Sequence, residues 1–116
     1  MAGITCRDKD GVLITCSEDW WNKHIEAEHS EMKGCESYVQ ATIQNPYQVY
    51  QDARHIDRRI LYKPFILPHP FDKYYLRVVI KYEQKKPPGD ARGYVLTAFP
   101  STKRKGDILI WQNSSL

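Results

Sequence analysis

At 116 residues and 13.6 kDa the chain has the length of one domain, read as residues 1–116, enough to bury a core without staples. Its 41% hydrophobic and 27% charged residues exclude the disordered and fibrous classes. No window approaches the ~20 apolar residues of a membrane span, and the N-terminus lacks a signal peptide's apolar run, so a cytoplasmic protein without membrane contact is expected.

Charge is divided unevenly. Residues 1–36 carry eight acidic and four basic side chains, net −4; residues 37–116 carry thirteen basic and six acidic, net +7. Such a basic region suits a polyanionic partner, nucleic acid or an acidic protein, and equally suits a solvated surface. Cys6, Cys16 and Cys35 are odd in number and irregular in spacing, which reads as reduced thiols.

The first element is a hairpin. Residues 4–7 and 12–15 are β-rich and flank Asp8-Lys9-Asp10-Gly11, whose Asp-Gly pair is a turn signal. Ser17 then offers an N-cap, with Glu18 and Asp19 in the first turn where the helix dipole favours acids. That helix is predicted over 18–28, with Trp21 and Ile25 as core anchors. After Gly34 a second helix is predicted over 35–44, carrying Val39 and Ile43, and Asn45-Pro46 ends it.

The texture then turns to strands. Residues 47–50 form a short strand or an extended linker, and 58–66 a strand up to Pro64, at an edge or a bend. Residues 74–82 give the best strand, with Leu76, Val78 and Ile80 on one face and Tyr75, Arg77, Val79 and Lys81 on the other. A loop at 85–90, a strand at 94–99 stopped by Pro100, a basic loop at 101–106, a short strand at 108–111 and frayed residues 113–116 complete the chain. Short connections imply antiparallel neighbours. The expected fold is α+β: an N-terminal β-hairpin and two α-helices packed on a four- to five-stranded antiparallel meander sheet, with Leu76, Val78 and Ile80 in the core.

Several chemistries are excluded by pattern. There is no glycine loop opening a helix for phosphate, and no Gly-x-Ser-x-Gly elbow. Cys6, Cys16, His24, His29 and Cys35 match no zinc spacing, and His24 and His29 stand about 140° apart on an ideal helix. If the helix ends near Glu28, however, His29 is free of that spacing and can turn toward the same cleft as His24.

Metal-free RNA cleavage needs two proton transfers, a cation for the phosphorane and a hydroxyl to orient the phosphate. His24 and His29 can move protons, Arg77 and Lys81 can hold charge, and Thr97 can supply the hydroxyl. The bland readings stay open beside this: surface histidines, a solvated strand face, and ordinary strand propensity for Thr97. Trp20, Tyr62, Tyr75, Tyr82 and Trp111 interleave with basic residues as base-stacking surfaces do.

A resemblance joins these pieces. Trp20-Trp21-Asn22-Lys23-His24-Ile25 followed by Glu28-His29-Ser30-Glu31-Met32 resembles the "His-Ile … His-Pro-Glu" opening of the phage-associated nucleases of the barnase–EndoU–colicin–RelE (BECR) group. Ile43 with Pro46, Leu61-Tyr62-Lys63, Tyr75-Leu76-Arg77-Val78-Val79-Ile80-Lys81, Val95-Leu96-Thr97-Ala98-Phe99 and Trp111 are similar to that group's later segments, in order, over residues 12–111. Ser30 stands where Pro is usual, and Phe99 replaces Tyr and loses a hydroxyl.

The resemblance implies a RelE-like fold of two helices and a four-stranded antiparallel sheet. It also implies metal-independent RNA cleavage by 2′-OH transesterification without a cofactor, as in toxins and phage-conflict effectors. Carried over by position, His24, His29, Arg77 and Thr97 form the catalytic site. Tyr62, Lys63, Lys81, Lys103, Arg104 and Trp111 are expected to contact substrate, the basic loop by holding flanking phosphates. The expected partners are RNA and an antitoxin or inhibitor protein. The alternative is a non-catalytic module of the same fold that binds nucleic acid or an acidic protein.

Overall fold

The computed structural model describes residues 3–85, 90–102 and 108–113. Strands β1 (Ile4–Arg7) and β2 (Leu13–Cys16) pair as the expected hairpin. Asp8 builds the turn between them, its Oδ1 accepting from the backbone N–H of Asp10 and of Val12, each at 2.9 Å. Gly11 takes the positive φ of 84° that this turn requires and a side chain resists.

Ser17 caps the first helix, its hydroxyl accepting from the Trp20 N–H at 3.1 Å. This helix, α1, opens as Glu18–Trp20 and continues as a π-helix over Trp21–Glu26. Wider i→i+5 bonding of this kind is rare beyond a single turn and recurs at functional sites. Trp21 and Ile25 are fully buried, as expected of core anchors. The chain leaves the helix at His29 (φ −134°, ψ 80°), makes a 3-10 turn over Ser30–Met32, and enters α2 (Glu36–Gln44).

Strands β3 (Gln48–Gln51), β4 (Arg58–Pro64), β5 (Tyr75–Lys85) and β6 (Asp90–Ser101) form a consecutive antiparallel meander. The sheet is larger than this expected part. Its seven strands run β1-β2-β6-β5-β4-β3-β7, with β7 at Ile108–Gln112. The hairpin joins the sheet instead of packing on it: β2 pairs with β6 in parallel, against the antiparallel expectation drawn from short loops. Loop length speaks only of strands adjacent in sequence, and β2 and β6 are separated by most of the chain. Strand β7 returns to the far edge and pairs with β3. Pro64 ends an interior strand, so it marks a bend and not an edge. Pro100 does not stop β6, which runs one residue further.

The sheet curls around α2 until its two ends approach each other. Lys9, in the β1–β2 turn, places its ammonium 4.8 Å from the Trp111 ring centroid on β7. The concave face holds the main core: Ile14, Trp21, Ile25, Met32, Val39, Ile43, Leu76, Val78 and Ile80 are all fully buried. Alternation along β5 thus holds as predicted, with Arg77, Val79 and Lys81 on the convex face. That face is not simply solvated. Tyr62, Ile60 and Val79 form a second cluster there, flanked by Tyr50, Tyr75 and Leu96.

Among the described residues, no helix is long and apolar enough to cross a membrane. The three cysteines are buried free thiols. Lys103 and Arg104 of the predicted basic loop lie outside the described residues.

Candidate active site on the convex sheet face

One irregularity decides which residues meet. Val79 pairs with Thr97 but Ile80 pairs with Val95, so Leu96 is an extra residue in β6, a bulge. Val95 faces the core, and strict alternation from it would send Thr97 and Phe99 inward too. The bulge reverses the phase. Ala98 becomes the buried residue, and Thr97 and Phe99 turn to the convex face beside Val79 and Arg77. The bulge is anchored from α1, where the Trp20 indole N–H donates to the Leu96 carbonyl at 3.1 Å.

On that face His29 and Arg77 share one ring. The His29 imidazole stacks on Phe99 with centroids 4.6 Å apart and planes 21° apart. The Arg77 guanidinium carbon lies 5.2 Å from the centroid of the same ring. Arg77 Nε donates to the Tyr62 hydroxyl at 3.2 Å, which leaves the outer nitrogens of its fork pointing away from that bond. Tyr62 is held edge-on by Tyr50 (5.6 Å) and Tyr75 (6.2 Å) and is fully buried. It therefore positions Arg77 and offers no open ring for a base. Glu31 Oε1 lies 3.5 Å from His29 Nδ1, so the carboxylate faces one ring nitrogen and Nε2 is the nitrogen away from it.

The other expected residues fall in different places. His24 is exposed and stacks on Trp20, centroids 3.8 Å apart, so it joins the site through Trp20 and not through His29. The π-helical path between the two histidines invalidates the 140° spacing computed for an ideal helix. Thr97 lies on the right face, but its hydroxyl oxygen is buried without a hydrogen-bond partner. Lys81 is on the convex face, opposite Tyr94 and Arg58, and faces Glu83 at 3.9 Å.

Lys63 and Trp111 lie apart from these. Lys63 follows Tyr62 in the strand, so it points to the concave side, where its ammonium donates to the Asn45 carbonyl at the end of α2. Trp111 packs against the main core. Neither shares a face with Arg77.

No family model matches the chain, and no curated protein or solved structure is significantly similar to it.

Glu31, Phe99 and Trp20 are the participants that site reasoning underused. Their signal was present in the two-residue step from His29 to Glu31, and in the cross-strand pairing of Phe99 with Arg77 once register is known. The thiols take no part at neutral pH. Burial, helped by the Glu36 carboxylate, pushes Cys16 up to about 11, and burial also raises Cys6 and Cys35. Among the described residues no three His, Cys, Asp or Glu side chains are grouped to hold a metal ion. The assembled groups are thus an oriented imidazole, a fixed guanidinium and further cations on an open sheet face.

Proposed function

We propose that this protein is a metal-independent endoribonuclease with a variant of the barnase–EndoU–colicin–RelE fold. The observation that carries the reading is the His29–Phe99–Arg77 arrangement, in which an imidazole and a guanidinium contact the same ring. His29 Nε2 takes the proton of the 2′-hydroxyl, and the 2′-oxygen attacks phosphorus. Arg77 stabilises the charge that builds on the non-bridging oxygens. The bond to the 5′-oxygen breaks, and the leaving oxygen takes a proton from His24, giving a 2′,3′-cyclic end. Lys81 and Arg58 hold neighbouring phosphates. A cytoplasmic toxin or phage-conflict role, restrained by an acidic inhibitor protein, fits the basic convex face.

The test is incubation with bulk RNA in excess EDTA, with His29→Ala and Arg77→Ala in parallel. The expected result is 2′,3′-cyclic ends from the parent and intact RNA with both variants. Intact RNA with the parent rejects the reading. The second reading, a binding module without catalysis, is favoured by the burial of the Thr97 hydroxyl. It predicts that the parent retains RNA without cutting it and that Arg77→Ala releases it.

A further inference from the structure

Around Lys81, on the strand that also carries Arg77, the convex face has a groove of about 450 Å³. It exists because β2 stops pairing with β6 at Thr15↔Tyr94 and the chain turns away into α1. Trp20, Tyr94, Val95 and Leu96 form its apolar walls, and Lys81 and Glu83 stand at its polar rim. A space of this size accepts one nucleotide-sized group.

Trp20 is held with unusual care for a residue that is 37% exposed. Its indole N–H is fixed to the Leu96 carbonyl at 3.1 Å, and His24 covers the ring at 3.8 Å with planes 26° apart. The ring is an immobilised flat surface at the groove wall, so a planar ligand loses little entropy on stacking there. The surroundings point to a polyanion with planar groups. Arg77 and Lys81 lie four residues apart on one strand face, about 13 Å, which is more than one nucleotide's length. Arg58 adds a third cation opposite Lys81. At the rim, Lys81 and Glu83 offer a donor and an acceptor to the edge of a ring.

We propose that this groove seats one unpaired nucleobase of a single-stranded RNA, stacked at Trp20 and Tyr94 beside Lys81, more than one nucleotide along the strand from the phosphate held by Arg77. The base must leave any duplex to enter, so the protein prefers single strands. The proposal takes its polymer from the ribonuclease reading, but it is tested without cleavage.

The probe is a fluorescein-labelled adenylate octamer with every 2′-oxygen methylated, which cannot form the cyclic product. An abasic octamer of equal charge serves as its comparison, and binding is read by anisotropy. The parent is expected to bind the base-bearing strand more tightly than the abasic one. Trp20→Ala should weaken the base-bearing strand by about 5- to 100-fold more than the abasic strand, while Trp20→Phe keeps most of the preference. Tyr94→Leu, which spares the indole hydrogen bond, should lower the same preference. Equal binding of the two strands by the parent overturns the proposal without recourse to any variant, as does equal loss on both strands in Trp20→Ala. Base-selective binding without cleavage of ordinary RNA sinks the ribonuclease reading and leaves the groove standing. Cleavage by Trp20→Ala at the parental KM does the reverse.

Discussion

Replacing Tyr82 with Phe removes one oxygen from the join between the N-terminal hairpin and the meander. Tyr82 points to the concave side of β5, and its hydroxyl donates to Asp8 Oδ2 at 2.8 Å. The other oxygen of Asp8 already serves two backbone N–H groups, and the residue is only 8% exposed. In Tyr82→Phe the ring stays, along with its contact to the Arg59 guanidinium at 5.0 Å, but Oδ2 loses its partner in a place water reaches poorly. A hydrogen bond to a charged group of this kind contributes about 2 kcal/mol. For a chain of this length that lowers Tm by roughly 8 °C. The pH dependence follows from the same geometry. Burial, then the bond to the Asp8 carboxylate, raises the Tyr82 hydroxyl far above its ordinary value. The folded protein thus keeps a proton that the unfolded chain releases near pH 10, so this group's stabilisation is complete below pH 10 and declines above it. Calorimetry from pH 7 to 11 should show a lower Tm for Tyr82→Phe at neutral pH and a shallower alkaline decline than in the parent. An unchanged Tm together with an unchanged alkaline slope would refute the join.

Three further outcomes are expected. Gly93→Ala forces a Cβ to within 2.5 Å of Ile14 Cδ1 and 3.0 Å of Ile80 Cγ2, both in the packed core, and should cost about 1–3 kcal/mol in a urea melt. A parental midpoint would show that β2 and β6 do not approach this closely. Cys16 should resist a thiol reagent at pH 7.5 and react fully in denaturant; its folded value of about 11 exceeds the ordinary one, so its stabilisation is whole below pH 8.5 or so and is lost toward 11. In the EDTA cleavage assay Arg77→Ala should lower kcat/KM by about 100- to 1000-fold, whereas Tyr62→Phe, which deletes one 3.2 Å bond to Arg77, should cost only about 5-fold. A Tyr62→Phe loss as large as that of Arg77→Ala would mean that Arg77 depends on this hydroxyl for its whole position, the contact with Phe99 contributing nothing.

Local chemistry was readable, and non-local pairing was not. The Asp8–Gly11 turn, the Ser17 cap, and the inward set Leu76, Val78 and Ile80 each follow from residues near one another in the chain. Parallel pairing of β2 with β6 and the return of β7 to β3 join distant segments, and no periodicity specifies them. The candidate site divides along the same line. His29 escapes the helix because α1 ends before it, as the sequence suggested. Tyr62 and Lys63 illustrate an error that parity alone exposes: consecutive residues of one strand face opposite sides, so both cannot line one cleft. Trp111 was placed by order along the chain, whereas its partner across the strand, Val49, lies in the core.

Two irregularities meet at the convex face, and their coincidence bears on function. The π-helix over Trp21–Glu26 alters the angular path from Trp20 and His24 to His29, and the Leu96 bulge alters the phase of Thr97 and Phe99. Each gives up regular bonding, and a core built only for burial needs neither. They are joined by a single hydrogen bond from the Trp20 indole to the bulged carbonyl. Remove the bulge and Phe99 faces inward, so His29 and Arg77 lose the ring they share. The two departures from regular geometry thus fall on the same helix–strand contact, and between them they set which face Phe99, the ring shared by imidazole and guanidinium, presents. A binding module needs the cations but has no use for an imidazole backed by Glu31 and stacked on the ring beneath Arg77. On the ribonuclease proposal these two side chains are the proton acceptor and the phosphate-binding group, so the substitutions that decide between catalysis and retention are at His29 and Arg77.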